Sequence, residues 1–214
     1  MAPMHPTPAT PPPQEFWDTL YGGADRLSSG EPNPVLARET TGLTPGSALD
    51  LGCGEGGDAV WLARQGWHVT AVDISQVALD RAAADAASAG VGERIDWQWH
   101  DLAVSFPAGA FDLVSAQFFH SFLELPRERI LRSAAEAVAP GGVLLIGGHA
   151  GHPSWERDPD PGVHFPTPDE VLTALDLPVG RWEVLVSEVY ERQLTGPDGQ
   201  PATRPDNTLK LQRS

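Results

Sequence analysis

The sequence predicts a three-layer α/β protein, an open seven-stranded sheet that is mostly parallel and ends in an antiparallel C-terminal hairpin. Three observations point there. From Ala48 onward, apolar strand-like runs alternate with helix-like stretches, as in a sheet covered on both faces. The run VLLIGG (143–148) is apolar or glycine throughout, as a central parallel strand is. The last two strand-like stretches, RWEVLVSEVYERQL and TLKLQRS, are joined by a loop containing GPDGQ with no helix between, so they should pair antiparallel.

The elements follow in order. Residues 1–13 are proline-rich; proline disfavours both helix and ladder, so a disordered tail is expected. Residues 14–214 form one domain, and 14–44 are its N-terminal helical flank. There Phe16, Trp17, Leu20 and Tyr21 make an apolar stripe that stops at Gly22-Gly23, and a second helix starts at Pro34. Then come the strand ALDLG, the helix GDAVWLARQG, the strand HVTAVDI and an alanine-rich helix with Ser75 placed to cap it. RIDWQWHDL and FDLVSAQFF read as strands three and four. PRERILRSAAEAVAPGG reads as a helix with Ile130, Ala134 and Val138 on one stripe. After strand five, Thr167 and Glu170 form a capping box for a short helix. The flank is either a lid over the ends of the strands or an extra core helix on the outside of the sheet.

Composition narrows the function. A chain of 214 residues supports one sizeable core, and two full domains are not expected. A formal net charge of −15 argues against a basic nucleic-acid-binding face. No apolar run approaches the ~20 residues of a membrane span, and no secretory leader is evident. A single cysteine allows no internal disulfide, which suits the cytoplasm. The expected partner is therefore a small molecule, bound by a monomer or homodimer.

The stretch LDLGCGEGG carries the chemistry. Gly52, Gly54 and Gly57 meet the spacing G-x-G-x-x-G between a strand and a helix, and Asp73 ends the next strand, where a carboxylate can accept from ribose hydroxyls. Taken alone, this also describes a nicotinamide-dependent oxidoreductase. Three details separate the two. Asp50 lies just before the first glycine, where it would repel a pyrophosphate and welcome an α-amino group. Too little chain follows for a separate substrate domain. The terminal hairpin belongs to a different kind of sheet.

Together, LDLGCGEGGDAVWLA, VTAVDIS, WHDL, FDLVSAQFFH and APGGVLLIGGH resemble the ordered motifs of class I S-adenosylmethionine-dependent methyltransferases, whose sheet is Rossmann-like. The segment EFWDTLYGG…SGEPNP resembles the bacterial branch near tellurite-resistance and thiopurine methyltransferases, except that Ser28 stands where many relatives carry tryptophan. The resemblance implies S-adenosylmethionine as cofactor. It places the backbone of Gly52, Cys53 and Gly54 along the methionine part, with Asp50 near the amino group. It puts Asp73 on the ribose, Ile74 on the adenine face, and Asp101 with the Leu102 amide on the adenine edge. Gln117 would offer its backbone carbonyl to the methionyl amine, and Phe118 would look toward the methyl group. Asp101 could instead merely cap a turn, and Phe118 could be ordinary core. Trp17, Tyr21, His120 and His149 are implied on the acceptor side.

Methyl transfer asks for an in-line nucleophile and exclusion of water. A thiol or chalcogen acceptor needs at most loss of a proton, whereas an oxygen or nitrogen acceptor can need a base. His120 is the leading candidate base, or else a hydrogen-bonding positioner, with His149 second. Cys53, between glycines, has no paired base in the sequence and is not read as a nucleophile. His149, His152 and His164 lie on a Gly/Pro loop without helical i, i+4 spacing, so no metal site is expected. The alternative function is a non-catalytic module that holds S-adenosylmethionine or S-adenosylhomocysteine.

Overall fold

The computed structural model describes residues 11–214 except Ala24 and Pro159. The expected tail lies outside the described residues up to position 10. Proline at its first positions suits a helix start, and α1 runs Pro13–Gly22, followed by α2 at Pro34–Thr40. The alternating part is β1 Ser47–Leu51, α3 Gly57–Arg64, β2 His68–Asp73, α4 Gln76–Ser88, β3 Ile95–Trp99 and β4 Phe111–Gln117. It continues with α5 Arg127–Glu136, β5 Val138–His149, α6 Pro168–Leu175, β6 Trp182–Thr195 and β7 Pro201–Arg213. The Ser75 side chain caps α4 by accepting from Ala78 N–H at 3.2 Å, and both halves of the Thr167–Glu170 capping box form.

The seven strands make one sheet in the order β3-β2-β1-β4-β5-β7-β6. The first five are mutually parallel, and β7 runs antiparallel to both β5 and β6. Side chains alternate across a strand, so each strand feeds two cores. Leu49, Leu51, Val114, Ala116, Leu144 and Ile146 meet Leu131 and Ala134 of α5 and Val171 and Leu175 of α6. Ala48, Leu113, Val143 and Leu145 face the other way, onto Leu36 of α2 and Ala59, Leu62 and Ala63 of α3. Helices on both faces give the three layers. Strand order reverses between β1 and β4, and a sheet of this kind leaves its crevice beyond the carboxyl ends of the strands there.

Two boundaries differ from the sequence reading. The helix expected over 126–142 stops at Glu136, and Val138 pairs with Phe111 as the start of β5. Pro140 explains it: proline has no N–H to donate and pushes the residue before it out of the helical region. Strand seven begins at Pro201, seven residues before the expected Thr208. Pro201 and Pro205 are tolerated because β7 leaves β5 after Asp206 and keeps one strand partner beyond it. The GPDGQ turn is as expected, closed by Gly196 N–H on the Gln200 carbonyl at 2.8 Å.

Candidate active site

The glycine loop after β1 is built for close approach. Gly52, Gly54 and Gly56 hold φ of 66°, 51° and 79°, a region that L side chains rarely adopt. Gly57 serves differently: a Cβ there would sit 2.8 Å from the Glu31 carbonyl oxygen. Asp73, at the end of β2, ties the loop down by accepting from Gly54 N–H and Ser75 N–H, each at 2.9 Å. Each carboxylate oxygen keeps a lone pair for a hydroxyl. Burial raises its pKa, against the pull of those amides.

Beyond the loop lie two hollows of about 200 and 390 Å³ that share Tyr21, Gly52 and Phe118. Asp73, Ile74, Asp101 and Leu102 line the first, together with Trp17 and His120. Asp50, Cys53, Gly54, Asp58 and Gln117 line the second. Asp101 Oδ1 does cap a turn, accepting from Ala103 N–H at 2.9 Å, and the residue still faces the first hollow. Trp99 Nε1 holds the Ile74 carbonyl at 2.7 Å, which fixes the Ile74 backbone.

The second hollow is acidic and contains unmet acceptors. Asp50 Oδ2 and Gln117 Oε1 are buried without a hydrogen-bond partner among the described residues. Leaving such oxygens dry and unpaired costs free energy, so they fit a donor that arrives with a ligand. Burial, with Asp58 and Asp73 nearby, holds the Asp50 carboxyl well above the usual range, and burial pushes Asp58 up to about 6. An ammonium group answers both oxygens and the charge. The residues thus fit the methionine part of S-adenosylmethionine, with the Gln117 side chain adding an acceptor beside the backbone carbonyl expected from sequence. Burial also pushes the Cys53 thiol up, which suits a packing role.

Ser28 proves to be an anchor. Buried Glu55 accepts from Ser28 N–H at 2.8 Å, Ser28 Oγ at 3.0 Å and Leu27 N–H at 3.0 Å, and Arg81 Nη1 donates to its other oxygen. This network clamps the segment after α1 onto the glycine loop. No residue of α1 is buried, so α1 is not the extra core helix considered above. Its Asp18 accepts from Ser75 Oγ at 2.7 Å and Val77 N–H at 3.2 Å, and Trp17 meets the otherwise exposed Phe122 at 5.9 Å between ring centroids. The Tyr21 hydroxyl lies against Gly54, 2.9 Å from where a Cβ would be, and burial raises its pKa further from titration at neutral pH.

Where the two hollows meet stands Phe118, a non-glycine residue at φ 48° directly after β4, strain of a kind that gathers at functional sites. Its N–H donates to the Gly147 carbonyl at 2.9 Å, and Arg192 stands 5.5 Å over its ring. His120 follows. Burial of its ring, with Arg127, His149 and Arg204 nearby, pushes its pKa down to about 4, so the imidazole is neutral at pH 7. His149 lies one ring further out, 4.5 Å from Phe118 and stacked on His120 at 5.4 Å. His149 Nδ1 is 2.8 Å from Asp206 Oδ1, and Arg192 Nε donates to Asp206 Oδ2. The remaining loop histidines pair separately, His152 with Glu156 and His164 with Glu170.

Sequence reasoning missed Asp58, Arg192 and Asp206. Asp58 had a signal, an acid in the first turn of the helix after the glycine loop. Asp206 had none nearby: only the β5–β7 register sets it opposite His149.

Residues 48–142 match the methyltransferase-domain family. The chain is 32% identical over 149 residues to a probable thiol methyltransferase 2 of Arabidopsis thaliana, covering 65% of this chain and 66% of that protein. It is 35% identical over 125 residues to a ribosomal RNA small subunit methyltransferase C of Alcanivorax borkumensis, covering 56% of this chain and 38% of that protein. TehB from Haemophilus influenzae shares the fold at a TM-score of 0.69 and 18% identity, over 92% of this chain and 67% of that one. Residues 48–142 thus match a methyltransferase domain, and the chain shares its fold with solved S-adenosylmethionine-dependent methyltransferases. S-adenosylmethionine is the cofactor of that class, and the unmet acceptors of the second hollow suit it.

Proposed function

We propose that this protein transfers a methyl group from S-adenosylmethionine to a small-molecule acceptor, a thiol or chalcogen or an oxygen or nitrogen nucleophile. The observation that carries the reading is the shared wall of the two hollows. Tyr21, Gly52 and Phe118 join the side with the unmet acceptors of Asp50 and Gln117 to the side bearing Asp73, Asp101 and His120.

When bound, the cofactor supplies a methyl group that is already electrophilic, so the protein's task is to orient and to exclude water. Asp50 and Gln117 would hold the ammonium, Asp73 the ribose, and Asp101 with Leu102 the adenine edge, while Ile74 packs on its face. Gly52, Cys53 and Gly54 would line the methionine part. Trp17, Tyr21 and Phe118 would close around the acceptor as α1 acts as a lid, with His120 and His149 beside it. Among the described residues no helix is long and apolar enough to cross a membrane. A cytoplasmic monomer or homodimer acting on small molecules, without nucleic acid, completes the proposal; the acidic charge and single cysteine support it.

Calorimetry with S-adenosylmethionine, S-adenosylhomocysteine and NAD tests cofactor choice. Mass spectrometry of thiols, selenite, tellurite and phenols incubated with the protein tests transfer. Binding of the first two ligands with no methylated product from any acceptor would make the chain a binding module.

A further inference from the structure

We propose that Arg192 is the cation that holds the α-carboxylate of S-adenosylmethionine, so that the second hollow recognises both charges at the cofactor's amino-acid end. The inference rests on the methyltransferase reading and adds to it the residue that makes the hollow specific for a zwitterion.

Strand register brings the opposite charges to one space. Asp50 pairs with Ser115 across β1 and β4, and two residues further on Gln117 pairs with Gly147 of β5. Gly147 pairs with Thr208, and Thr208 with Glu188, so all of these share one face of the sheet. Arg192 lies four residues beyond Glu188 on β6 and belongs to the same face. There it lines the second hollow with Asp50, Asp58 and Gln117, and among the described residues that line it Arg192 is the only cation.

Much of the backbone around this hollow is already committed. In the glycine loop, Cys53 N–H donates to the Val72 carbonyl at 3.0 Å, Gly54 N–H to Asp73 Oδ2 at 2.9 Å and Gly56 N–H to the Cys53 carbonyl at 2.9 Å. Ahead of the sheet, Asn33 N–H donates to Asp58 Oδ1 at 2.6 Å, and the Leu27 and Ser28 amides go to Glu55. Asp50 and Asp58 welcome an ammonium and repel a carboxylate, so the anionic half of a zwitterion needs a cation of its own. Tyr21, Ser29 and Asn33 can add neutral donors only.

Arg192 is held ready for that task. Its Nε donates to Oδ2 of Asp206, which is fully buried and has His149 Nδ1 on its other oxygen. The guanidinium stands 5.5 Å over the Phe118 ring. These contacts fix the plane of the group, while its terminal nitrogens donate to no described residue and 29% of the side chain stays exposed. A guanidinium fixed in this way presents donors in a rigid fork that matches a carboxylate, with little side-chain entropy left to lose.

Calorimetry on the full chain tests this without any acceptor, using S-adenosylmethionine and its decarboxylated form, which keeps the ammonium and lacks the carboxylate. Wild type should prefer S-adenosylmethionine by about ten- to a hundredfold, the range of a charge-assisted pair. Arg192→Gln should weaken S-adenosylmethionine by that factor and leave the decarboxylated form as tight or tighter, because the acids remain and the cation is gone. Arg192→Lys should restore part of the preference. Wild-type protein that binds both ligands alike overturns the proposal. So does an equal weakening of both in Arg192→Gln, which would make Arg192 a structural partner of Asp206 alone. A preference that survives in Arg192→Gln also overturns it and puts the carboxylate on the neutral donors. If wild type binds neither ligand, the methyltransferase reading itself has failed, and the inference falls with it.

Discussion

The two halves of the sheet present their site residues in opposite states. At the carboxyl ends of β1, β2 and β4, polar atoms wait: Asp50 Oδ2 and Gln117 Oε1 are buried and unpaired, and like charges crowd Asp50. At the β5–β7–β6 end, His149 and Arg192 are matched to opposite oxygens of Asp206, although the buried Thr208 Oγ1 of β7 has no partner among the described residues. The difference teaches that the fold keeps the side proposed for the cofactor at some cost in stability until a ligand arrives, whereas the charged cluster around Asp206 is already paired. Unpaired buried acceptors are destabilising alone and favourable once a donor binds.

The largest expected effect is at the cofactor side. Asp73→Ala removes the ribose acceptor and frees the Gly54 and Ser75 amides, so S-adenosylmethionine should bind about 1.5–3 kcal/mol more weakly by calorimetry. Unchanged affinity would defeat the ribose assignment.

Asp50→Asn sharpens the contrast because stability and binding should move apart. A carboxyl whose folded pKa is raised contributes stability below its unfolded pKa, and that stability is lost as pH rises through the folded value. At pH 7 the variant, having no charge to bury, should melt above wild type while binding S-adenosylmethionine about ten- to a hundredfold more weakly. For wild type, affinity should fall as pH drops into the raised Asp50 range. A variant that is both less stable and equally tight would contradict the waiting-acceptor picture.

The acceptor side has its own pH signature. His120 is pushed down to about 4 from an ordinary 6.5, so it contributes stability above 6.5 that is lost as pH falls through that window toward 4. The ring is partly exposed, so after screening by solvent this amounts to about 1–2 kcal/mol. His120→Gln should flatten the acid limb of the melting temperature between those values. An unaltered limb would show that other groups carry it.

The smallest effect concerns the flank that spans both halves. Asp18→Ala removes two hydrogen bonds from α1 to the start of α4 and should cost about 1 kcal/mol or less in global stability. If α1 is a lid, turnover should fall further than the melting temperature does, because a lid acts in the reaction and contributes little to the core. A protein starting at Asn33 extends the test: it should stay folded, bind cofactor more weakly and lose most turnover. Full turnover from that protein would rule out the lid.

Much of the cofactor side was legible in the residues because its parts lie close along the chain. The glycines, Asp50 and Asp73 fall within 24 residues, and a strand, a tight turn and a helix place them by local geometry alone. The same locality made Ser75 and Thr167 readable as caps. Ser28 was readable only as a departure from pattern, because its partner Glu55 lies 27 residues away.

Local rules reached as far as residues within a few turns or one strand–helix unit of each other: element types, the parallel sheet with its closing hairpin, and the strand-end acids follow from periodicity, glycine placement and proline. Pairing across the sheet lay beyond them. Whether position 206 faces His149 depends on the register of two antiparallel strands nearly sixty residues apart, and a slip of one residue would turn Asp206 to the other face. The Asp206 dyad, the left-handed Phe118 and the contact of Trp17 with Phe122 were therefore decided in three dimensions, where packing of the whole sheet selects the register that no short stretch of sequence encodes.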